Sequence, residues 1–166
     1  MLVDKHRAEI DAILARYPPV HKRSAAMPLL YLAQREYGHV TRQALQEIAD
    51  LIGVEPTQVG SLVGFYTLYH DQPEGKLRVQ ICTDLPCALR GAETFAEKLC
   101  ENIGVRLGET TPDGMITVES VMCLAGCDHA PLFQIQDADG IHYHEGQSVE
   151  SALKVIEEHK RKVAHG

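Results

Sequence analysis

Leu77-Arg78-Val79-Gln80-Ile81-Cys82-Thr83-Asp84-Leu85-Pro86-Cys87 is the stretch on which the reading of this chain turns. Apolar and polar residues alternate from Leu77 to Ile81, the two-residue period of a strand, and the strand ends on Cys82. Cys87 then completes a C-x4-C. The pattern recurs downstream, where Met115 to Val121 reads as another strand and delivers Cys123-Leu124-Ala125-Gly126-Cys127, a C-x3-C. Thiols in two close pairs, each at a strand end, can meet at one site once a sheet sets the two loops side by side.

Between the pairs, Gly91 to Ile103 reads as a helix. Phe95, Ala96, Leu99, Cys100 and Ile103 lie on one face, and Glu93, Glu97, Lys98, Glu101 and Asn102 mostly on the other. Thr111-Pro112-Asp113-Gly114 is a turn. Beyond the second pair, Pro131 restarts the chain into a third strand, Leu132 to Gln136, and Asp139-Gly140 turns it into a short fourth around Ile141 to Tyr143. Ser148 caps a last helix with Val149, Ala152, Leu153 and Ile156 inward. The basic run Lys160-Arg161-Lys162 suits its C-terminal end. A small mixed sheet flanked by two helices is the expectation.

Upstream of Leu77 the period is helical throughout. A first helix is expected over Val3 to Tyr17, ended by Pro18-Pro19. A second starts from Ser24 as N-cap, carries Pro28 in its first turn and closes on Gly38. Thr41 caps a third, closed by Gly53, and Pro56 starts a fourth that runs through Val59, Leu62, Val63 and Tyr66 toward Tyr69. Gly60 and Gly64, four apart on that helix, are either a site of close backbone approach or simply tolerated. Asp71-Gln72-Pro73-Glu74-Gly75 breaks the composition. The class is therefore α+β, with an N-terminal helical domain over residues 1–73 and a sheet domain over 74–166.

Composition narrows the chemistry. The chain has 166 residues, 45% hydrophobic and 23% charged, enough apolar material for a packed core. Its net charge of −7 repels phosphate backbones, so no nucleic-acid partner is expected. No apolar run approaches the roughly 20 residues of a membrane span, and Met1 to Arg7 lacks the apolar core of a signal peptide. A soluble intracellular protein without membrane insertion is expected. An odd cysteine count of five in such a compartment favours metal or redox chemistry over disulfides. No G-x-G-x-x-G or P-loop occurs, so no nucleotide site is expected on this chain.

Three chemistries compete for Cys82, Cys87, Cys123 and Cys127. A [2Fe-2S] cluster takes two thiolates on each iron, and two close pairs suit it. A structural zinc also accepts four cysteines at such spacings and would make the chain a zinc-stabilised interaction module. A thiol–disulfide enzyme would carry C-x-x-C at a helix start, which neither pair matches. Cys100 falls on an apolar helix face and reads as a small core residue. His142-Tyr143-His144 alternates as strand residues do; exposed strand polars or a weak metal site are the two readings.

With the cysteines placed, the chain resembles the NuoE family, the thioredoxin-like [2Fe-2S] subunits of NADH:quinone oxidoreductase, respiratory complex I. The likeness runs through Arg23-Ser24-Ala25, Leu32-Ala33-Gln34, Gly64-Phe65-Tyr66-Thr67, Val79 to Thr83, Cys87 to Ala92, Gly108 to Gly114 and Cys123 to Pro131. It implies a helical N-terminal domain, a thioredoxin-like domain, and one [2Fe-2S] cluster on Cys82, Cys87, Cys123 and Cys127. It also implies a flavin- and NADH-binding partner subunit whose FMN exchanges electrons with the cluster, and no turnover by the isolated chain. The location implied is cytoplasmic, peripheral at the inner membrane face through partner subunits. Small subunits of NAD-linked hydrogenases and formate dehydrogenases are relatives and stand as the alternative. The family more often reads Leu-Gly-Ala-Cys where this chain has Leu124-Ala125-Gly126-Cys127, and Gly where Asp128 stands. His129 is placed beside the cysteines, and Ala130-Pro131 resembles the thioredoxin fold's proline near its active loop.

Overall fold

The computed structural model describes residues 1–165, which form two compact units meeting in sequence at Pro73 and Glu74.

The first unit is helical: α1 Leu2–Lys5, α2 Arg7–Leu14, a 3-10 segment Pro19–Ala25, α3 Ala26–Tyr37, α4 Arg42–Ile52 and α5 Pro56–Phe65. Leu2, Ile10, Leu29, Leu30, Ala33, Ile48 and Val59 fill its core. The single first helix expected from periodicity is two, because His6 leaves helical geometry (φ −123°, ψ 27°) and its Nε2 lies 2.7 Å from the Glu36 carboxylate. Ser24 is not an N-cap; it lies inside the 3-10 segment, and α3 starts after Ala25 with no side-chain cap. Thr41 caps α4 as expected, its Oγ1 accepting the Ala44 N–H at 3.1 Å. α5 stops at Phe65, short of Tyr66 and Tyr69. Gly60 and Gly64 mark no backbone crossing: a Cβ on Gly60 would meet only Leu45 Cδ1 at 3.8 Å, and one on Gly64 would meet open space.

The second unit runs β1 Leu77–Cys82, α6 Leu85–Ala88, α7 Ala92–Ile103, β2 Glu109–Thr110, β3 Ile116–Val121, a 3-10 turn Cys127–His129, β4 Phe133–Asp137, β5 Gly140–His144 and α8 Val149–His165. Its sheet has the order β2-β3-β1-β4-β5. β1 and β3 are parallel, while β4 is antiparallel to β1 and to β5, and β2 to β3. The short edge strand β2 and the one-turn α6 have no period long enough to be read from sequence. Ser148 does cap α8, its Oγ accepting the Ser151 N–H at 3.2 Å.

α7 and α8 pack on each other and on β1. Leu77, Val79, Ile81, Phe95, Leu99, Phe133, Ile135, Ala152 and Ile156 form that core. The polar half of β1 is buried too, although alternation alone suggested a solvated face. Burying polar groups is costly unless they are paired, and here they form a ladder across three strands. Gln80 Nε2 donates to Glu119 at 2.7 Å, Gln134 Nε2 donates to Gln80 Oε1, and Arg78 reaches both Glu119 and Gln136.

Candidate metal centre

Parallel pairing is what brings the two cysteine loops together. β1 and β3 are register neighbours to their last residues, Cys82 opposite Val121, so both loops leave the same end of the sheet. β4 enters at that end as well, with the Cys82 N–H donating to Leu132 O at 3.2 Å. In open sheets the carboxyl ends of parallel strands form the natural crevice for a bound group.

Cys82 and Cys87 are buried with Ala92, Ala130 and Leu132, whereas Cys123 and Cys127 are exposed. Asp84 positions the first loop, its carboxylate accepting the Leu85 N–H at the start of α6, on which Cys87 sits. No cysteine is in a disulfide; Cys123 Sγ and Cys127 Sγ stand 3.9 Å apart. Burial, the Cys82 hydrogen bond and the charges of Cys82, Cys127 and Cys123 push the Cys87 thiol up to about 12. Cys127 is raised as well, by its hydrogen bond to Cys123 and by burial. Each group thus senses the others, and four thiolates so placed need a cation to offset their repulsion.

The spacing of the sulfurs bears on which cation. A single tetrahedral zinc with Zn–S of about 2.3 Å sets all its sulfurs about 3.8 Å apart. Among the described residues no three of these sulfurs lie within 4.8 Å of one another. Two close pairs from adjacent loops suit a two-iron rhomb, with one pair on each iron.

The second loop is shaped by its backbone. Ala125 takes a left-handed conformation (φ 62°), and its N–H points at Cys123 Sγ at 3.3 Å. Gly126 is packed closely, since a Cβ there would come within 3.1 Å of Leu132 Cδ1 and 3.2 Å of Glu145 Oε1. His129 Nδ1 lies 3.1 Å from the Asp128 carboxylate. The Ala130–Pro131 peptide is cis.

Cys100 stays apart from this site, in the α7 face of the core, where burial raises its thiol. His142 and His144 are not simple exposed strand polars: their rings lie near that of His159 of α8, with centroids 4.8 and 5.7 Å away. Sequence reading missed Asp137 and His159 as their companions. The signal was present in parity and helical spacing, since Asp137 follows Phe133 and Ile135, and His159 follows Ala152 and Ile156.

A mixed five-stranded sheet that offers two cysteine pairs from adjacent strand ends defines a class of domains that gather four thiols at one end of a sheet. The model of one family, the thioredoxin-like [2Fe-2S] ferredoxins, matches residues 10–160, and the chain belongs to that family. An NADH-quinone oxidoreductase subunit of Rhizobium meliloti is 45% identical over 131 residues, 79% of this chain and 77% of that protein. NADH-quinone oxidoreductase subunit 2 of Thermus thermophilus is 41% identical over 128 residues, 77% of this chain and 71% of that protein. Among solved structures, NAD+-reducing [NiFe]-hydrogenase in its H2-reduced state superposes with a TM-score of 0.64 at 17% identity, covering 78% of this chain and 22% of that one, a likeness of fold. No helix among the described residues is long and apolar enough to cross a membrane.

Proposed function

We propose that this chain is the electron-transfer subunit of an NADH-oxidising complex of the NADH:quinone oxidoreductase type. It would hold one [2Fe-2S] cluster on Cys82, Cys87, Cys123 and Cys127 and exchange electrons with the flavin of a partner subunit that also binds NADH. The observation that carries this reading is the geometry of the thiols: two cysteine pairs brought to the same end of the sheet by parallel pairing of β1 and β3, with Cys123 and Cys127 Sγ 3.9 Å apart. Membership of the family and the names of the relatives agree with it.

When bound, such a cluster supplies one-electron transfer. The chain's residues supply the rest. Cys82 and Cys87 close the inner side away from water, while Cys123 and Cys127 leave the outer side at the surface, where a partner's redox centre can approach. The Ala125 N–H at Cys123 favours the more negative state of that sulfur. Leu85, Leu89 and Met122 stand exposed on the same two loops. Apolar side chains bared around a site suit a docked protein better than solvent, and the flavin-bearing subunit is the partner they fit.

Metal and sulfide analysis of anaerobically purified protein tests the reading. The expected result is two irons and two labile sulfides per chain with a paramagnetic signal on reduction, retained in Cys100→Ala and lost in Cys87→Ser. A colourless protein with one zinc on the cysteines would overturn it. Reduction by NADH only when the flavin subunit is added, weakened by Leu89→Glu, is the expected behaviour of the docking face.

A further inference from the structure

We infer that the other end of this sheet carries a second metal site, for a zinc-class divalent cation, built from Asp137, His142 and His159. Their ligand atoms lie within 4.8 Å of one another. His142 Nε2 stands 3.3 Å from Asp137 Oδ1, and His159 Nδ1 stands 3.1 Å from Asp137 Oδ2. A tetrahedral zinc with bonds of about 2.0–2.1 Å to nitrogen and oxygen has edges of about 3.3 Å. Each imidazole thus stands about one such edge from the carboxylate, on a different oxygen of Asp137, and two imidazoles with one carboxylate suit zinc, cobalt or nickel.

Topology explains how they meet. In the β4–β5 register Phe133 faces His144, Ile135 faces His142, and Asp137 faces Gly140. Phe133, Ile135 and Asp137 share one face of β4, so His142 and His144 share the corresponding face of β5. α8 crosses that face with Ala152 and Ile156 inward, and His159 follows them on the same side. Asp137 stands at the hairpin end of β4, about 13 Å of strand from the end where the cysteines gather. The two sites are thus separate in space and in donor chemistry.

Burial makes the group unusual as mere surface decoration. The side chains of Asp137 and His159 are only 6% and 9% exposed, whereas that of His142 is 39% exposed and leaves the site a path to solvent. Asp137 Oδ1 also accepts the Asp139 and Gly140 N–H groups at 2.9 and 3.1 Å, which fix the carboxylate at the hairpin end. His144 borders the group, its ring edge-on to His159, and its Nε2 is buried without a hydrogen-bond partner among the described residues. Bound there, the ion would tie the edge hairpin to the helix that covers it.

The test is zinc binding by the full chain, purified anaerobically and passed over a mild chelating resin that leaves its visible absorption intact. Calorimetric titration should show one Zn2+ taken up per chain with that absorption unchanged. X-ray absorption should give the zinc a nitrogen and oxygen shell without sulfur. His142→Ala, half-buried on an edge strand, should weaken binding at least tenfold, and Asp137→Asn likewise, while Tyr143→Ala on the opposite face should not. Absence of saturable uptake by the wild-type chain would overturn the site, leaving a carboxylate hydrogen-bonded to two imidazoles. So would a sulfur shell around the zinc, or uptake unchanged in His142→Ala. Because the iron and sulfide content is measured separately, failure here leaves the cluster reading standing, and failure there leaves this one.

Discussion

Ala125→Gly should stabilise the second unit. Ala125 is the one non-glycine residue with positive φ among the described residues, and it lies exposed in the loop between Cys123 and Cys127. An L-residue in the left-handed region costs roughly 1–2 kcal/mol. Glycine removes that cost but brings roughly 0.4–1 kcal/mol of extra unfolded-state entropy. Taking the middle of each range, about 1.5 less about 0.7, leaves a gain of about 0.8 kcal/mol. For a unit of this size 1 kcal/mol moves the melting midpoint by about 4–8 °C, so the expected rise is about 3–6 °C. The Ala125 N–H that reaches Cys123 survives the change, since glycine keeps it. Thermal unfolding of the protein as purified, followed by far-UV circular dichroism and by loss of visible absorption, reads the effect. Gly126→Ala is the companion: its new Cβ meets only the flexible ends of Leu132 and Glu145, at 3.1 and 3.2 Å, so its cost should stay below about 1 kcal/mol. A midpoint that falls in Ala125→Gly, or fails to move, would refute the strain assigned to this loop.

Two further predictions concern the frame around the site. Gly75→Ala should destabilise by on the order of 2 kcal/mol, read as a lower urea midpoint, because a Cβ there would come 2.6 Å from the Ile116 carbonyl carbon and 2.7 Å from the Thr117 nitrogen, backbone atoms that cannot swing aside. Asp113 is held at about 2 by the Thr111 hydroxyl, Lys160 and the Met115 N–H; a folded value below the unfolded one of about 3.9 means stability that is present above about pH 4 and lost as pH falls through about 2. Urea midpoints across that interval should therefore drop more steeply for wild type than for Asp113→Asn, and parallel curves would remove Asp113 from the acid response.

Much of the architecture was legible because its signals are local. Thr41, Gly38 and Gly53 mark helix ends through one side chain or one left-handed residue, and the structure uses them so. The strand reading of Leu77 to Ile81 held because its apolar members face the helices. What local signals miss is the partner across the sheet. Arg78 and Gln80 were polar by sequence and buried by structure, since Glu119, Gln134 and Gln136 on neighbouring strands satisfy them. His6 broke a helix that its own residues would have continued, through a bond to Glu36 thirty residues away.

The two metal-capable groups show the same division at the level of function. Cys82, Cys87, Cys123 and Cys127 are the rarer residue type, occur as close pairs in sequence, and end strands that the pattern already identified, so their convergence needs only that β1 and β3 be parallel neighbours. Asp137, His142 and His159 require more: the β4–β5 register, the parity of both strands and the angle at which α8 crosses them must all be known before three common polar residues come together. Spacing in sequence therefore finds sites built on one loop or on adjacent strand ends. A site assembled from a hairpin and the helix over it becomes visible only when the fold places His159 against Asp137, and that placement, rather than any motif, is what the zinc titration would test.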